Sequence, residues 1–205
     1  MSVFWPGASP EAARNCLNVA IHNLRRTLRT VAGDRTVLIH HDKAYFIDPA
    51  LDVWVDVEVF EDRLKSARQH VIREEPTRAK ADFEAAIELY GGDFLADDPY
   101  EEWALVTREQ LRLSYLDCLD QLSRLRFNSG DYSGCIELCS KMLACDNCRE
   151  DAHRRLMRSY SRQGQLQLAM RQYHTCAAIL RRELRLSPAP ATTELFGRIR
   201  QRQEV

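Results

Sequence analysis

RFNSGDY, residues 126–132, and YSRQGQL, residues 160–166, place Gly130 and Gly164 34 residues apart. The same offset pairs Cys135 with Ala169, Ile136 with Met170 and Leu122 with Leu156. Self-similarity at a fixed spacing marks a unit that buries its apolar face only by stacking on a copy of itself. Glycine between two apolar-periodic segments supplies the left-handed residue that ends a helix. A small residue at Cys135 or Ala169 lets the partner helix approach closely.

A period of this length, with glycine between two helices, is the tetratricopeptide arrangement. Helical spacing continues upstream. Val57, Phe60, Leu64 and Ala67 predict a helix over Val53–His70, and Ala81, Ala85 and Leu89 one over Thr77–Tyr90, ended by Gly91-Gly92. Pro99 precedes a long helix from about Glu101 to Asn128, with Trp103, Val106, Leu111, Leu113, Leu119, Leu122 and Leu125 as core candidates. Two clear repeats are few for an array. Helices before residue 113 are therefore expected to cap one side of the stack, and Pro188–Gln201 the other.

The N-terminal fifty residues read differently. Phe4-Trp5-Pro6-Gly7 reads as a helix end and turn. Ser9-Pro10-Glu11 is a helix start, with Ser9 as N-cap and Pro10 at the first helical position. The helix closes near Ala32-Gly33-Asp34. Thr36–His40 and Ala44–Asp48 read as strands around a His41-Asp42-Lys43 turn, and Pro49 ends the unit. Within the helix, Leu17, Ile21, Leu24 and Leu28 form an apolar stripe. Arg14, Asn18, His22, Arg25 and Arg29 form a polar one roughly a right angle away.

Formal net charge is −1, from 29 basic and 30 acidic side chains, so the whole chain is no polycation. Between Pro10 and Arg35, however, five arginines face only Glu11 and Asp34. Arginine serves phosphates and guanine edges, and asparagine serves adenine edges. A helix followed directly by a two-stranded hairpin is the second half of a winged helix-turn-helix. On that reading Asn15, Asn18, His22 and Arg26 reach base edges, Arg14, Arg25 and Arg29 hold phosphates, and Lys43 sits at the wing tip. The plainer reading is a solvated face, with Asn15 as a helix-start cap and His22 simply exposed.

Other chemistries are weaker. No glycine loop cradles phosphate and no G-x-S-x-G occurs. Asp97-Asp98 and Glu101-Glu102 suit helix caps better than acid–base work, so no enzyme and no cofactor are expected. Cys145-x-x-Cys148, with Cys135, Cys139 and His153, has spacing that suits zinc or a redox switch. Helical packing also explains the pair Cys135 and Cys139, and no metal is expected. No apolar run spans a bilayer and no signal peptide is visible, which predicts a cytoplasmic chain with mostly free thiols.

Taken in order, Phe4-Trp5-Pro6-Gly7, Ala13-Arg14-Asn15 and Ile21-His22-Asn23-Leu24-Arg25-Arg26-Thr27-Leu28 resemble the OmpR-type recognition helix of the Streptomyces antibiotic regulatory protein family. Tyr90-Gly91-Gly92-Asp93-Phe94-Leu95, Glu101-Glu102-Trp103, Gly130-Asp131-Tyr132, Glu150-Asp151-Ala152-His153 and Leu180-Arg181-Arg182-Glu183-Leu184 resemble its later signatures. The resemblance implies a mainly α fold: a tetratricopeptide-like helical repeat domain preceded by a partial winged helix of one helix plus a β-hairpin. Residues 1–50 would be the C-terminal half of the winged-helix DNA-binding domain and residues 51–205 a bacterial transcriptional activation domain. In the family, a strand-rich segment and a further pair of helices precede the recognition helix, so a fragment or shortened product is expected. The hairpin also lacks the family's glycines before Tyr45.

The resemblance implies a transcriptional activator. Its partners would be double-stranded DNA at promoter repeats, RNA polymerase or a sigma factor, and a second copy in a homodimer, with no membrane. The alternative is a helical-repeat interaction module without DNA binding of its own.

Overall fold

The structure, a computed structural model, describes residues 4–98 and 100–205; Pro99, expected before the long helix, lies outside them. Contacts divide the chain into two units that meet in sequence between Val55 and Asp56.

The first unit holds helix α1 (Pro10–Ala32) and strands β1 (Leu38–His41) and β2 (Ala44–Ile47). Residues 4–7 form a turn rather than a helix end. Ser9 Oγ accepts from the Ala12 amide at 3.2 Å, Pro10 opens the helix, and Gly33 closes it at φ 62°. The antiparallel strands pair Leu38 with Ile47 and His40 with Tyr45. Both strands are shorter than the sequence suggests. The turn between them is Asp42-Lys43, with φ of 48° and 63°. Positive φ at both central residues is the type I′ geometry whose twist matches a hairpin. The chain achieves it without glycine, so the missing glycines leave the hairpin intact.

The second unit is wholly helical. It comprises α2 (Asp56–Ile72), α3 (Pro76–Leu89), a 3-10 turn at Glu102–Ala104, α4 (Leu105–Asn128), α5 (Tyr132–Cys145), α6 (Glu150–Arg162), α7 (Leu166–Glu183) and α8 (Pro190–Arg200). Successive helices pack as antiparallel hairpins. The repeat is real at atomic level. Gly130 and Gly164 have φ of 80° and 77°. Asp131 N donates to Arg126 O at 2.9 Å, and Gln165 N to Tyr160 O at 2.8 Å. These are paired Schellman closures. Cys135 and Ala169 are fully buried, and Leu122 and Leu156 nearly so. As expected, α2 and α3 cover one end of the stack and α8 the other.

The core departs from the sequence reading in two places. On α3 the buried stripe is Ala79, Phe83 and Ala86, while Ala81 is exposed. Trp103 on the 3-10 turn and Val106 and Leu113 on α4 remain exposed, and Tyr115, Leu116 and Cys118 join Leu111, Leu119 and Leu122 inside. The first turn of the long segment is 3-10, which resets the facing residues of the helix that follows.

Tyr90 explains the motif Tyr90–Leu95. It stacks on Tyr115 at 4.0 Å between ring centres, while Arg108 collects the carbonyls of Phe94, Leu95 and Asp98. The cysteines are core atoms at four positions. Burial pushes the Cys118 thiol up to about 12 and the Cys176 thiol up to about 11. The hydrogen bond with Cys135, together with burial, holds the Cys139 thiol above its ordinary range. Cys145 is exposed and Cys148 half-buried. His153 is a packed histidine: Nε2 donates to Asn147 O at 3.0 Å and Nδ1 accepts from Gln172 Nε2 at 2.6 Å. Burial holds its pKa below the usual value. Among the described residues no group of three or more His, Cys, Asp or Glu is arranged to hold a metal, and no helix is long and apolar enough to cross a membrane.

Gly134, the third residue of α5, has no room for a side chain. An added Cβ lies under 3.0 Å from Arg126 Nη1 and Cδ and from Asp131 Oδ2. Those atoms form ion pairs: Arg126 with Asp131, and with Glu84 at 2.6 Å. Alanine in a helix normally gains about 1 kcal/mol over glycine. Here Gly134→Ala is expected to lower stability instead, by about 1 kcal/mol net, because overpacking costs about 1–3 kcal/mol. The shift of the urea midpoint gives the sign directly.

Candidate nucleic-acid interface

Helix α1 is 23 residues long, which corresponds to about 34 Å. All eight residues singled out in the sequence are exposed: Arg14, Asn15, Asn18, His22, Arg25, Arg26 and Arg29 on α1, and Lys43 at the hairpin tip. At helical pitch the seven on α1 fall within one broad face, about a third of the circumference. Asn15 does not cap the helix, since Ser9 does. Arg14, Arg26 and Arg29 carry no ion pair among the described residues, so their donors point to solvent unspent.

Arg25 behaves differently. Its Nη2 donates to Leu38 O at 3.2 Å, and its guanidinium carbon lies 5.7 Å from the Tyr45 ring centre. One arginine thus ties α1 to both strands. Such a cation over an aromatic face contributes about 0.5–1 kcal/mol at an exposed site. No signal in the sequence marks this contact, which joins residues far apart in the chain.

Beside it, the end of α1 and the start of β1 enclose a hollow of about 250 Å³, lined by Arg25, Arg29 and Arg35 with Asp34 as its acid. Arg35 is the addition sequence reasoning missed as a site residue, although its charge was counted. Three guanidiniums around one small polar hollow can take an anionic oxygen group.

The apolar stripe of α1 is thinly covered. Ala13 is its buried residue; Leu17, Ile21 and Leu28 are half-buried, and Leu24 is 43% exposed.

Residues 55–200 match the family profile described as bacterial transcriptional activator domain. No curated protein matches the chain. Among solved structures, Mycobacterium tuberculosis EmbR in complex with a low affinity phosphopeptide aligns at a TM-score of 0.77 and 20% identity. That alignment covers 100% of this chain and 54% of EmbR, so the chain spans about half of that protein. A Plasmodium falciparum protein described as FK506-binding aligns through its C-terminal TPR-containing domain. There the TM-score is 0.51 at 16% identity, over 72% of this chain and 92% of that one. At these identities the likenesses speak to fold, and both support stacked helical hairpins.

Proposed function

The chain belongs to the bacterial transcriptional activator domain family, and from that premise we propose that it is a DNA-binding transcriptional activator whose α1 lies in the major groove. The observation that carries this reading is the exposed face of α1, where Arg14, Arg26 and Arg29 have no ion pair among the described residues and Asn15 and Asn18 lie beside them. The hairpin follows in the order of a winged helix, so residues 1–50 act as its C-terminal half. Asn15, Asn18, His22 and Arg26 take base edges. Arg14 and Arg29 take phosphates, and Lys43 touches the flanking backbone. Arg25 has a mixed role, since it also holds the hairpin. RNA polymerase or a sigma factor, and a second copy of the chain, are the protein partners this role calls for.

Fluorescence anisotropy on a duplex carrying the preferred site, at two salt concentrations, tests the reading. Arg26→Ala is expected to cost about 1–3 kcal/mol at one base step and to relax discrimination there. Arg29→Ala should weaken every duplex alike and reduce the salt slope by about 1. Absence of duplex binding at low salt rejects the proposal. A second reading, a helical-repeat interaction module that does not bind DNA by itself, is favoured by the thin cover on the apolar stripe of α1. Partner capture that survives deletion of residues 1–50 supports it.

A further inference from the structure

The second unit gathers several arginines along one groove, and one of them has no acid of its own among the described residues. A groove of about 500 Å³ runs along α4 and α6, lined by Arg124, Arg154, Arg155, Arg158 and Arg162, with Asp151 as its one carboxylate. Most of these groups are engaged. Arg155 and Arg124 both reach Asp120, at 2.7 and 3.1 Å. Arg154 donates to Thr192 Oγ1 at 3.0 Å and lies 3.9 Å from Glu150. Asp151 is taken by Arg149 at 2.7 Å.

Arg158 has no hydrogen bond or ion pair among the described residues. It lies in the concavity with Arg154, Arg155 and Arg198 near enough to act on its charge. Arg158 is exposed, but the protein displaces part of its hydration, and that loss together with the three neighbouring cations presses its pKa below the usual value. A guanidinium beside like charges and without a carboxylate partner gains from any anion brought next to it.

The end of the described chain shows what chemistry the groove accepts. Glu204 gives its carboxylate to Arg162 Nη1 at 2.7 Å. Arg162 Nε donates to the Val205 carbonyl at 2.8 Å, and Arg198 donates to the Glu204 carbonyl. Val205 lines the same groove, with Phe127 as an apolar wall. One carboxylate, that of Glu204, and two main-chain carbonyls accepting from arginines already occupy one end. The stretch at Arg158 is open.

We propose that the α4–α6 groove is a docking site for an acidic, extended protein segment, whose carboxylates pair with Arg158 and whose apolar side chains pack on Phe127. Repeat folds of this kind bind along their concave faces, and arginines beside the Phe127 wall offer both charged and apolar contacts to an extended segment. The proposal does not rest on DNA binding by α1, which belongs to the other unit.

The test is anisotropy of fluorescein-labelled hexaglutamate with the full chain, at about 50 mM and about 200 mM salt, with hexaglutamine as the neutral probe. Hexaglutamate is expected to bind at low salt and hexaglutamine not. Arg158→Glu should weaken binding about tenfold or more, and Arg158→Lys by about threefold or less, since charge is kept. Arg73→Glu makes the same charge change on an exposed residue outside the groove and should leave affinity nearly unchanged. Circular dichroism melts of the variants establish that each is folded. No binding of hexaglutamate, or equal losses in Arg158→Glu and Arg73→Glu, overturns the proposal. So does displacement of the peptide by unlabelled duplex that Arg158→Glu abolishes, which gives the groove to nucleic acid. A failure of duplex binding by α1 leaves these outcomes unaffected.

Discussion

Asp120→Ala is expected to remove about 3–5 kcal/mol from the stability of the repeat domain in a guanidinium titration, enough to unfold much of it near physiological temperature. Asp120 is 6% exposed on α4. Its Oδ1 accepts from Arg155 Nη1 at 2.7 Å, and its Oδ2 forms an ion pair with the more exposed Arg124, 3.1 Å from Nε. Arg155 Nη1 also donates to Ser123 Oγ at 2.6 Å, and Arg155 itself is only 12% exposed as a side chain. The pair bridges the leading helices of two successive repeats. Removing the carboxylate leaves a guanidinium in a poorly solvated place, and that desolvation cost, more than the lost attraction, sets the magnitude. Asp120→Asn keeps an acceptor and should cost less. The double variant Asp120→Leu, Arg155→Leu should recover most of the loss, because a buried pair is worth little over well-packed apolar groups. A single-variant loss under about 1 kcal/mol would mean that water reaches the pair freely.

The second large effect is at Phe83. It is fully buried on α3, in the cluster that includes Phe60 and Leu64 of α2 and Leu119 of α4. Phe83→Ala opens a cavity the size of a ring between three helices and should cost about 3–5 kcal/mol. For a domain of this size that is a fall of about 10 °C in Tm, read by circular dichroism. The backbone offers little relief, since the Phe83 carbonyl accepts from Cys118 Sγ at 3.5 Å, holding α3 against α4. Phe83→Leu keeps most of the volume and should lose less than half as much. A Tm unchanged in Phe83→Ala would contradict the packing described for the α2–α3 cap.

Phe83 also shows where sequence patterns stop. Helix α3 carries alanines at several helical spacings, and alanine gives little contrast between an inner and an outer face. The stripe through Ala81 and Ala85 therefore competed evenly with the true one through Ala79, Phe83 and Ala86. The repeat was legible for the opposite reason. Gly130 and Gly164 are punctuation with a single conformational meaning, and Leu122, Leu156, Cys135 and Ala169 fix the facing helices around them. The exposed face of α1 was legible from its period. The Arg25 contact with Leu38 was not, because it depends on how the chain folds back after Gly33. Arg154, Arg155, Arg158 and Arg162 also recur at helical spacing on α6. In sequence they look like an ordinary solvated side. Only the stacking of α6 beside α4 turns that side into a hollow.

The hold of Arg25 on Leu38 and Tyr45 has a mechanical consequence. With one guanidinium reaching both strands of the antiparallel ribbon, the hairpin is fastened to α1 about two turns before the helix ends, so separating the two strands or lifting either from the helix breaks contacts of the same side chain.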